Sequence, residues 1–268
     1  MRSHPSGQQI PALPGHRSAA LAAWTRAWRA GLVSFDEVLD ETTGGEDHLV
    51  LHPDGTEESL ASALTAASRL APDVIRVVLP AAGDPRGLPG PGPFSAAALV
   101  VGEGVVLGGA FGLVPEEEAA PGPGVPLDAA DRWAGTRWHA HPLPEAPVPP
   151  EPLTLAEADH DLTIAMTESI GALRRLDVAR LPPELARGLT ALRGEDGTGP
   201  ELPVGYGPRA RRLSARATTI AGVLALASAD SSGAAVNAYE TGARDAALRP
   251  LAAAARRARA AAINSPLE

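Results

Sequence analysis

The sequence predicts an α+β fold, in which a mixed α/β N-terminal domain with a small sheet is followed by an all-α helical bundle. Before residue 142 the apolar residues form short β-branched runs between amphipathic segments, whereas after residue 153 they repeat at helical spacing. Between these patterns, residues 142–152 contain six prolines and are predicted to form an extended linker, because proline fixes φ and lacks an N–H donor. The predicted organisation is a disordered segment at 1–17, a mixed α/β domain at 18–141, the linker at 142–152 and a four-helix bundle-like domain at 153–268.

Composition limits the chemistry available to this chain. The 268 residues are 44% hydrophobic but only 3% aromatic, so the core must be built from Ala, Leu, Val and Ile. The absence of Cys excludes thiol nucleophiles, disulfides and Cys-based metal sites, and the absence of Lys excludes a Schiff base and a phosphate-loop lysine. The net charge is −9, yet from Gly207 to the end nine Arg stand against four acidic residues. The acidic N-terminal half is therefore expected to face either the basic C-terminal part or a basic partner.

Local signals predict the first elements. Leu21, Trp24 and Trp28 share one helical face, and Ser34 with Glu37 has the spacing of a capping box that begins a second helix. The predicted elements that follow are a strand at 47–52, a helix at 56–70 and a strand at 73–79. A strand, a helix and a strand over this length predict a βαβ unit with a parallel strand pair.

The apolar stretch from Phe94 to Val114 is predicted to be a buried β-hairpin. Its strands are expected at 95–101 and 105–107, joined at Gly102-Glu103-Gly104, with further strands at 110–114 and 136–142. The alternative is a membrane span, which is disfavoured because a central charge such as Glu103 costs roughly 2.5–3.5 kcal/mol. We therefore expect four or five strands and no membrane association.

The C-terminal part is predicted to be an antiparallel four-helix bundle. Thr154 and Glu157 form a second capping box, and apolar residues then recur at helical spacing. The predicted helices are 155–179, 183–192, 208–229 and 234–263, the last of which is kinked or divided by Pro250.

The Pro/Gly-rich loop at 80–93 is the first candidate site. It follows a predicted strand, and ligands of open α/β sheets bind beyond the carboxyl ends of strands. Asp84, Arg86 and Gly87 are therefore candidates for contact with a small polar ligand or a partner. The alternative is an ordinary surface loop with a local ion pair.

A His-Ala-His sequence is the second candidate site. His139 and His141 are expected on one face of a strand, about 7 Å apart, where two imidazoles can share a divalent metal. His160, with Asp159 and Asp161, could complete the ligand set. The alternative is an exposed edge strand at the linker and a solvated helix face.

Arginines of the C-terminal part form the third candidate site. They are Arg209, Arg211, Arg212, Arg216, Arg256, Arg257 and Arg259. Phosphate backbones require such a density of cations, but no aromatic residue lies among these arginines to stack on bases. The alternatives are solvated helix faces and contact with the acidic half.

The predicted function is that of a cytoplasmic, non-catalytic protein-interaction or regulatory module that binds a protein partner or associates with itself. The chain contains no Gly-x-Ser-x-Gly, His-Glu-x-x-His or phosphate-loop sequence, and the sequence identifies no cofactor. Enzymatic activity stays open. One alternative function is a metal-dependent hydrolase or metal-binding protein using His139, His141 and His160, and another is a nucleic-acid-associated protein using the arginines.

Overall fold

The computed structural model describes residues 16–109, 111–116, 135–145, 153–175, 202–231 and 238–268. The helices are α1 (His16–Arg29), α2 (Phe35–Thr43), α3 (Leu60–Ala66), α4 (Pro93–Val101), α5 (Leu155–Arg175), α6 (Pro208–Ser231) and α7 (Ala238–Asn264). The strands are β1 (Asp47–Leu51), β2 (Glu57–Ser59), β3 (Ile75–Val78), β4 (Gly104–Leu107), β5 (Phe111–Pro115) and β6 (Gly135–His141). A sheet with helices in the N-terminal part and helices in the C-terminal part confirm the predicted fold class.

The sheet has six strands, so the prediction of four or five was wrong, and their order is β2-β1-β6-β5-β4-β3. β1 pairs in parallel with β6, whereas β3 is an edge strand that pairs antiparallel with β4. The predicted βαβ unit, with its parallel pair from the first two strands, is therefore wrong. It fails because the start of the predicted helix at 56–70 instead forms β2, whose backbone pairs with β1 across the turn at Asp54.

α4 replaces a predicted strand. Pro93 occupies the start of this helix, and Gly102 ends it with φ 88 and a hydrogen bond from its N–H to the Ala98 carbonyl. The predicted hairpin at Gly102-Glu103-Gly104 is therefore wrong, since this segment joins a helix to β4. Short apolar runs fit a strand or a buried helix equally well, and the distinguishing signals were the terminal Pro and Gly.

Two apolar layers cover the sheet. One face packs against α1, α3 and the end of α7, with Leu21, Val50 and Trp138 in its core. On the other face α4 inserts Phe94, which is fully buried and contacts Val78, Val106 and Val114 within a smaller cluster. The sheet is thus the shared partner of helices from both parts of the chain.

The C-terminal helices α5, α6 and α7 pack on one another through small and branched side chains, including Leu162, Leu213, Ala217 and Ala258. The capping box of Thr154 and Glu157 begins α5 as predicted. The predicted helix at 183–192 lies outside the described residues, as do residues 1–15. The division of the chain into domains at the proline segment stays a prediction.

The end of α7 is anchored to the N-terminal part by side chains. Asn264 accepts a hydrogen bond from the Val77 N–H at 3.0 Å and donates to the Val77 carbonyl at 2.9 Å, so its amide pairs with the edge strand β3. Within the C-terminal part, the hydroxyl of Tyr206, which precedes α6, donates to the Ile263 carbonyl at 2.8 Å. These contacts fix the direction in which α7 leaves the sheet.

Within the described ranges, none of the helices combines the length and the hydropathy that a membrane span requires. The stretch from Phe94 to Val114, for which a membrane span was the alternative, consists of α4, β4 and β5, apart from the undescribed residue 110 and the short connections.

His48 on β1 is expected to make stability depend on pH. It is 8% exposed and accepts a hydrogen bond from the Trp138 indole N–H at 3.2 Å. Burial, helped by the charge of Arg17 and opposed by Asp47, lowers the pKa of His48 to about 4. As the pH falls, His48 takes up a proton near pH 6.5 in the unfolded chain but only near pH 4 in the folded chain. The contribution of neutral His48 to stability is therefore complete above pH 6.5 and declines as the pH falls toward 4.

Between pH 7 and pH 5, we expect the free energy of unfolding to fall by roughly 2 kcal/mol more in the wild type than in the His48→Gln variant. Urea unfolding followed by circular dichroism at both pH values measures this difference. Equal losses in the two proteins would show that His48 does not control the pH dependence.

Candidate functional site

The Asp84 loop, defined as residues 80–92, carries the first predicted site on a folded scaffold. Ala81 and Asp84 exchange backbone hydrogen bonds at 3.1 and 2.8 Å, which closes a turn through Gly83 with φ 79. The Ser95 hydroxyl of α4 donates to the Gly90 carbonyl and fastens the far end of the loop. The loop therefore presents Asp84 at a defined position beyond the carboxyl end of β3.

Two arginines of α7 meet Asp84 at this position. Arg257 Nε donates to Asp84 Oδ2 at 3.0 Å, and Arg256 Nη2 lies 3.6 Å from the same oxygen. Arg86, on the loop itself, places its Nε 3.5 Å from Asp84 Oδ1. We call these four residues the Asp84 cluster. It unites the predicted loop site with part of the predicted arginine group.

The Asp84 cluster carries an excess of positive charge. Three guanidinium groups surround one carboxylate, and among the described residues no second carboxylate lies within ion-pair distance of them. Burial lowers the pKa of Arg256, Asp84 raises it, and the neighbouring Arg257 lowers it again. The cluster is thus partly neutralised inside the molecule and remains attractive to anions.

Other members of the arginine group are engaged within the molecule. Arg211 donates to the backbone carbonyls of Leu202, Pro203 and Tyr206, and Arg216 Nη1 pairs with Asp159 at 2.7 Å. These contacts hold α6 against the preceding segment and against α5. They correspond to the alternative in which arginines contact other parts of the same chain.

Arg259 is buried beside Glu103 at the start of α1. It is 3% exposed, and burial lowers its pKa to about 10 while Glu103 raises it. The Glu103 carboxylate also accepts the Ser18 N–H at 2.8 Å. Glu103, the charge that disfavoured a membrane span, therefore lies within a polar contact between the two parts of the chain.

Arg209 and Arg212, both on α6, are exposed to solvent. The seven arginines thus divide between internal contacts and solvent, and they do not form one continuous basic face made of α6 and α7 alone. A nucleic-acid interface built on all seven stays a prediction without geometric support.

The predicted metal ligands are only partly brought together. His139 and His141 lie on one face of β6, as strand alternation predicts, and their ring centroids are 6.4 Å apart. The Nε2 atom of His139 also lies 3.6 Å from a carboxylate oxygen of Glu116. Burial, followed by the charge of His139, lowers the pKa of His141. His160 and Asp161 are exposed on α5. In the part of the chain that the structure describes, no three His, Asp or Glu side chains are arranged to hold a metal ion.

Sequence reasoning missed the outer face of α4. Val100 is 87% exposed and Leu99 is 37% exposed, and no residue of this helix is charged. The buried strand that the sequence predicted at 95–101 would have no such free face. The Pro at the start and the Gly after the end of the segment are the signals that would have identified a helix with one free face.

Comparison of the sequence with known proteins finds two matching family models. The family model of the N-terminal domain of Rv1486c-like proteins matches residues 18–153, and that of their C-terminal domain matches residues 156–260. "Uncharacterized protein Rv1486c" of Mycobacterium tuberculosis strain H37Rv is 30% identical over 285 residues, covering 93% of this chain and 96% of that protein. "Uncharacterized protein MT1533" of strain CDC 1551 has the same identity and coverage. No solved structure matches the chain.

Proposed function

This chain belongs to the Rv1486c-like protein family, and we propose that it acts as a non-catalytic interaction module that binds a separate protein partner through α4 and the Asp84 loop. The observation that carries the proposal is the exposed apolar face of α4. We call the binding region the α4 surface, which consists of Arg86, Pro91, Pro93, Ala96, Leu99 and Val100.

The α4 surface has the composition of a protein interface. Pro93, Ala96 and Val100 follow one another at helical spacing, so they form a continuous apolar stripe beside Leu99. Contiguous exposed apolar stripes on folded proteins mark interaction sites, and the cores of interfaces are depleted of charge. Arg86, whose side chain is 63% exposed, supplies the kind of polar residue that is enriched at interfaces.

The surface is also held in place before a partner arrives. Phe94 on the inner side of α4 is fully buried, and the Asp84 loop is fastened to α7 by the hydrogen bond from Arg257 to Asp84. A rigid surface loses little conformational entropy on binding, so more of the contact energy appears as affinity.

Charge favours a partner with acidic groups around an apolar centre. The Asp84 cluster, to which Arg86 belongs, has more guanidinium groups than carboxylates. Complementary charge accelerates encounter and selects the orientation of a partner. The proposed partner is therefore a protein that presents an apolar patch flanked by carboxylates.

The test compares the proteins recovered with three forms of the tagged full-length chain from its native host. Val100→Glu places a charge in the apolar stripe, and Val204→Glu makes the same change at another exposed valine, which is 55% exposed. We expect a protein that is recovered with the wild type and with Val204→Glu but lost with Val100→Glu. With the purified pair, Val100→Glu should weaken binding by about tenfold or more.

Recovery of the same proteins with all three forms would refute the α4 surface as the interface. Size-exclusion chromatography provides a second check. A dimer of the wild type that dissociates on Val100→Glu would show that the surface binds a second copy, and would also overturn the proposal of a separate partner.

A further inference from the structure

The Asp84 cluster has more hydrogen-bond donors than its one carboxylate can accept. Each guanidinium carries five N–H donors, and a carboxylate offers about four acceptor positions. Only the 3.0 Å contact from Arg257 Nε has hydrogen-bond length, since the contacts of Arg86 and Arg256 with Asp84 are 3.5 and 3.6 Å. Two of the three guanidinium groups are therefore close to an acceptor that they do not fully engage.

Arg256 has a buried donor atom without a hydrogen-bond partner among the described residues. This atom is Nε, which is shielded from solvent. Buried N–H groups of native proteins nearly always have a partner, and an exception calls for an explanation such as an ion that occupies the site. The pKa of Arg256, lowered by burial and by Arg257 against the opposing effect of Asp84, indicates that its charge is incompletely compensated.

The arrangement is open to a ligand from solvent. The side chain of Asp84 is 12% exposed, whereas those of Arg256 and Arg257 are 28% and 27% exposed and that of Arg86 is 63% exposed. The carboxylate thus lies beneath the arginines. An anion that approaches from solvent meets the guanidinium groups first.

The supports of the cluster are rigid. Arg256 and Arg257 belong to α7, whose end is tied to β3 by the amide of Asn264. The turn between Ala81 and Asp84 holds the carboxylate from the other side. Binding sites built on such elements hold their ligands more precisely than sites on unsupported loops.

We propose that Arg86, Arg256 and Arg257 form a binding site for a phosphate group, with Asp84 as the positioning residue that holds the guanidinium groups together. Three guanidinium groups and one carboxylate leave two positive charges in excess, which matches a phosphate dianion. The planar guanidinium fork suits two phosphate oxygens at once, and phosphate offers acceptors to several such forks. This inference does not depend on the proposed protein partner.

The test is titration of the full chain with inorganic phosphate and with phenyl phosphate, at pH 7.5 and constant ionic strength, by isothermal calorimetry. We expect saturable binding at one site. Arg256→Gln should weaken it about tenfold and Arg86→Gln about threefold, because each removes charge-assisted hydrogen bonds. Arg212→Gln on α6 removes the same charge from an exposed position and should leave the affinity unchanged.

The two ligands distinguish a free ion from a phosphomonoester. Tighter binding of phenyl phosphate would identify an organic phosphate as the ligand class, and equal binding would identify the free ion. Both results support the site. If Arg256→Gln and Arg212→Gln weakened binding equally, the effect would be one of general charge and the proposal would be overturned. The proposal would also be overturned if the wild type, with a normal circular dichroism spectrum, showed no saturable binding of phosphate. Binding of a single-stranded oligonucleotide without binding of either phosphate would likewise overturn it.

Discussion

Replacing Arg26 with methionine is expected to lower the free energy of unfolding by about 3–5 kcal/mol. Arg26 is 2% exposed, and its guanidinium donates to the carbonyls of Pro72, Ile75 and Ser265 at 3.0, 2.9 and 2.6 Å. Methionine fills a similar volume but leaves these buried acceptors without their donor. The substitution also removes a positive charge from the carboxyl end of α7, where such a charge is favourable.

Arg29→Met is the matched control for this measurement. Arg29 lies one turn further along α1, is partly exposed, and donates to the single carbonyl of Leu70 at 3.0 Å. We expect it to cost about 1 kcal/mol, measured by urea unfolding under the same conditions. If Arg26→Met were no more destabilising than Arg29→Met, the carbonyl contacts of Arg26 would not join the two parts of the chain.

Gly112→Ala is expected to destabilise the protein by about 2–3 kcal/mol, although it adds a single methyl group. A Cβ atom at Gly112 would lie 2.2, 2.5 and 2.7 Å from three ring atoms of Phe94. The ring is fully buried between α4 and the sheet, and β5 is paired on both sides, so neither can move freely. Thermal or urea unfolding measures the loss.

Two further variants show whether the ring causes this effect. Gly104→Ala places a Cβ 3.0 Å from the same ring and should cost less than Gly112→Ala. Phe94→Leu vacates space over β5, so adding Gly112→Ala to it should cost much less than in the wild type. An equal cost in both backgrounds would locate the strain in the backbone of β5 instead.

Local sequence signals predicted the helices whose ends carry their own caps. The box of Ser34 and Glu37 begins α2, and the box of Thr154 and Glu157 begins α5. Such signals act between residues three positions apart, and apolar spacing acts within a few helical turns, so both are readable from the chain alone. β2 and α4 were predicted wrongly because a short segment takes the conformation that its distant partners stabilise.

The candidate site was predictable in its parts but not in its assembly. Asp84 and Arg86 were singled out from a Pro/Gly-rich loop, and Arg256 and Arg257 from a dense run of arginine. The contact between them joins positions 173 residues apart in the chain. It exists because the amide of Asn264 and the guanidinium of Arg26 set α7 against β3.

By itself, the sequence determined an α+β fold, the starts of its capped helices, the uneven distribution of charge and the exclusion of cysteine and lysine chemistry. These properties depend on residue type and on spacing within a few turns. Only the tertiary structure decided the strand order, the exposed face of α4 and the meeting of Arg256 and Arg257 with Asp84. Those features arise from hydrogen bonds and packing between distant segments, whose energies no local pattern in the chain encodes.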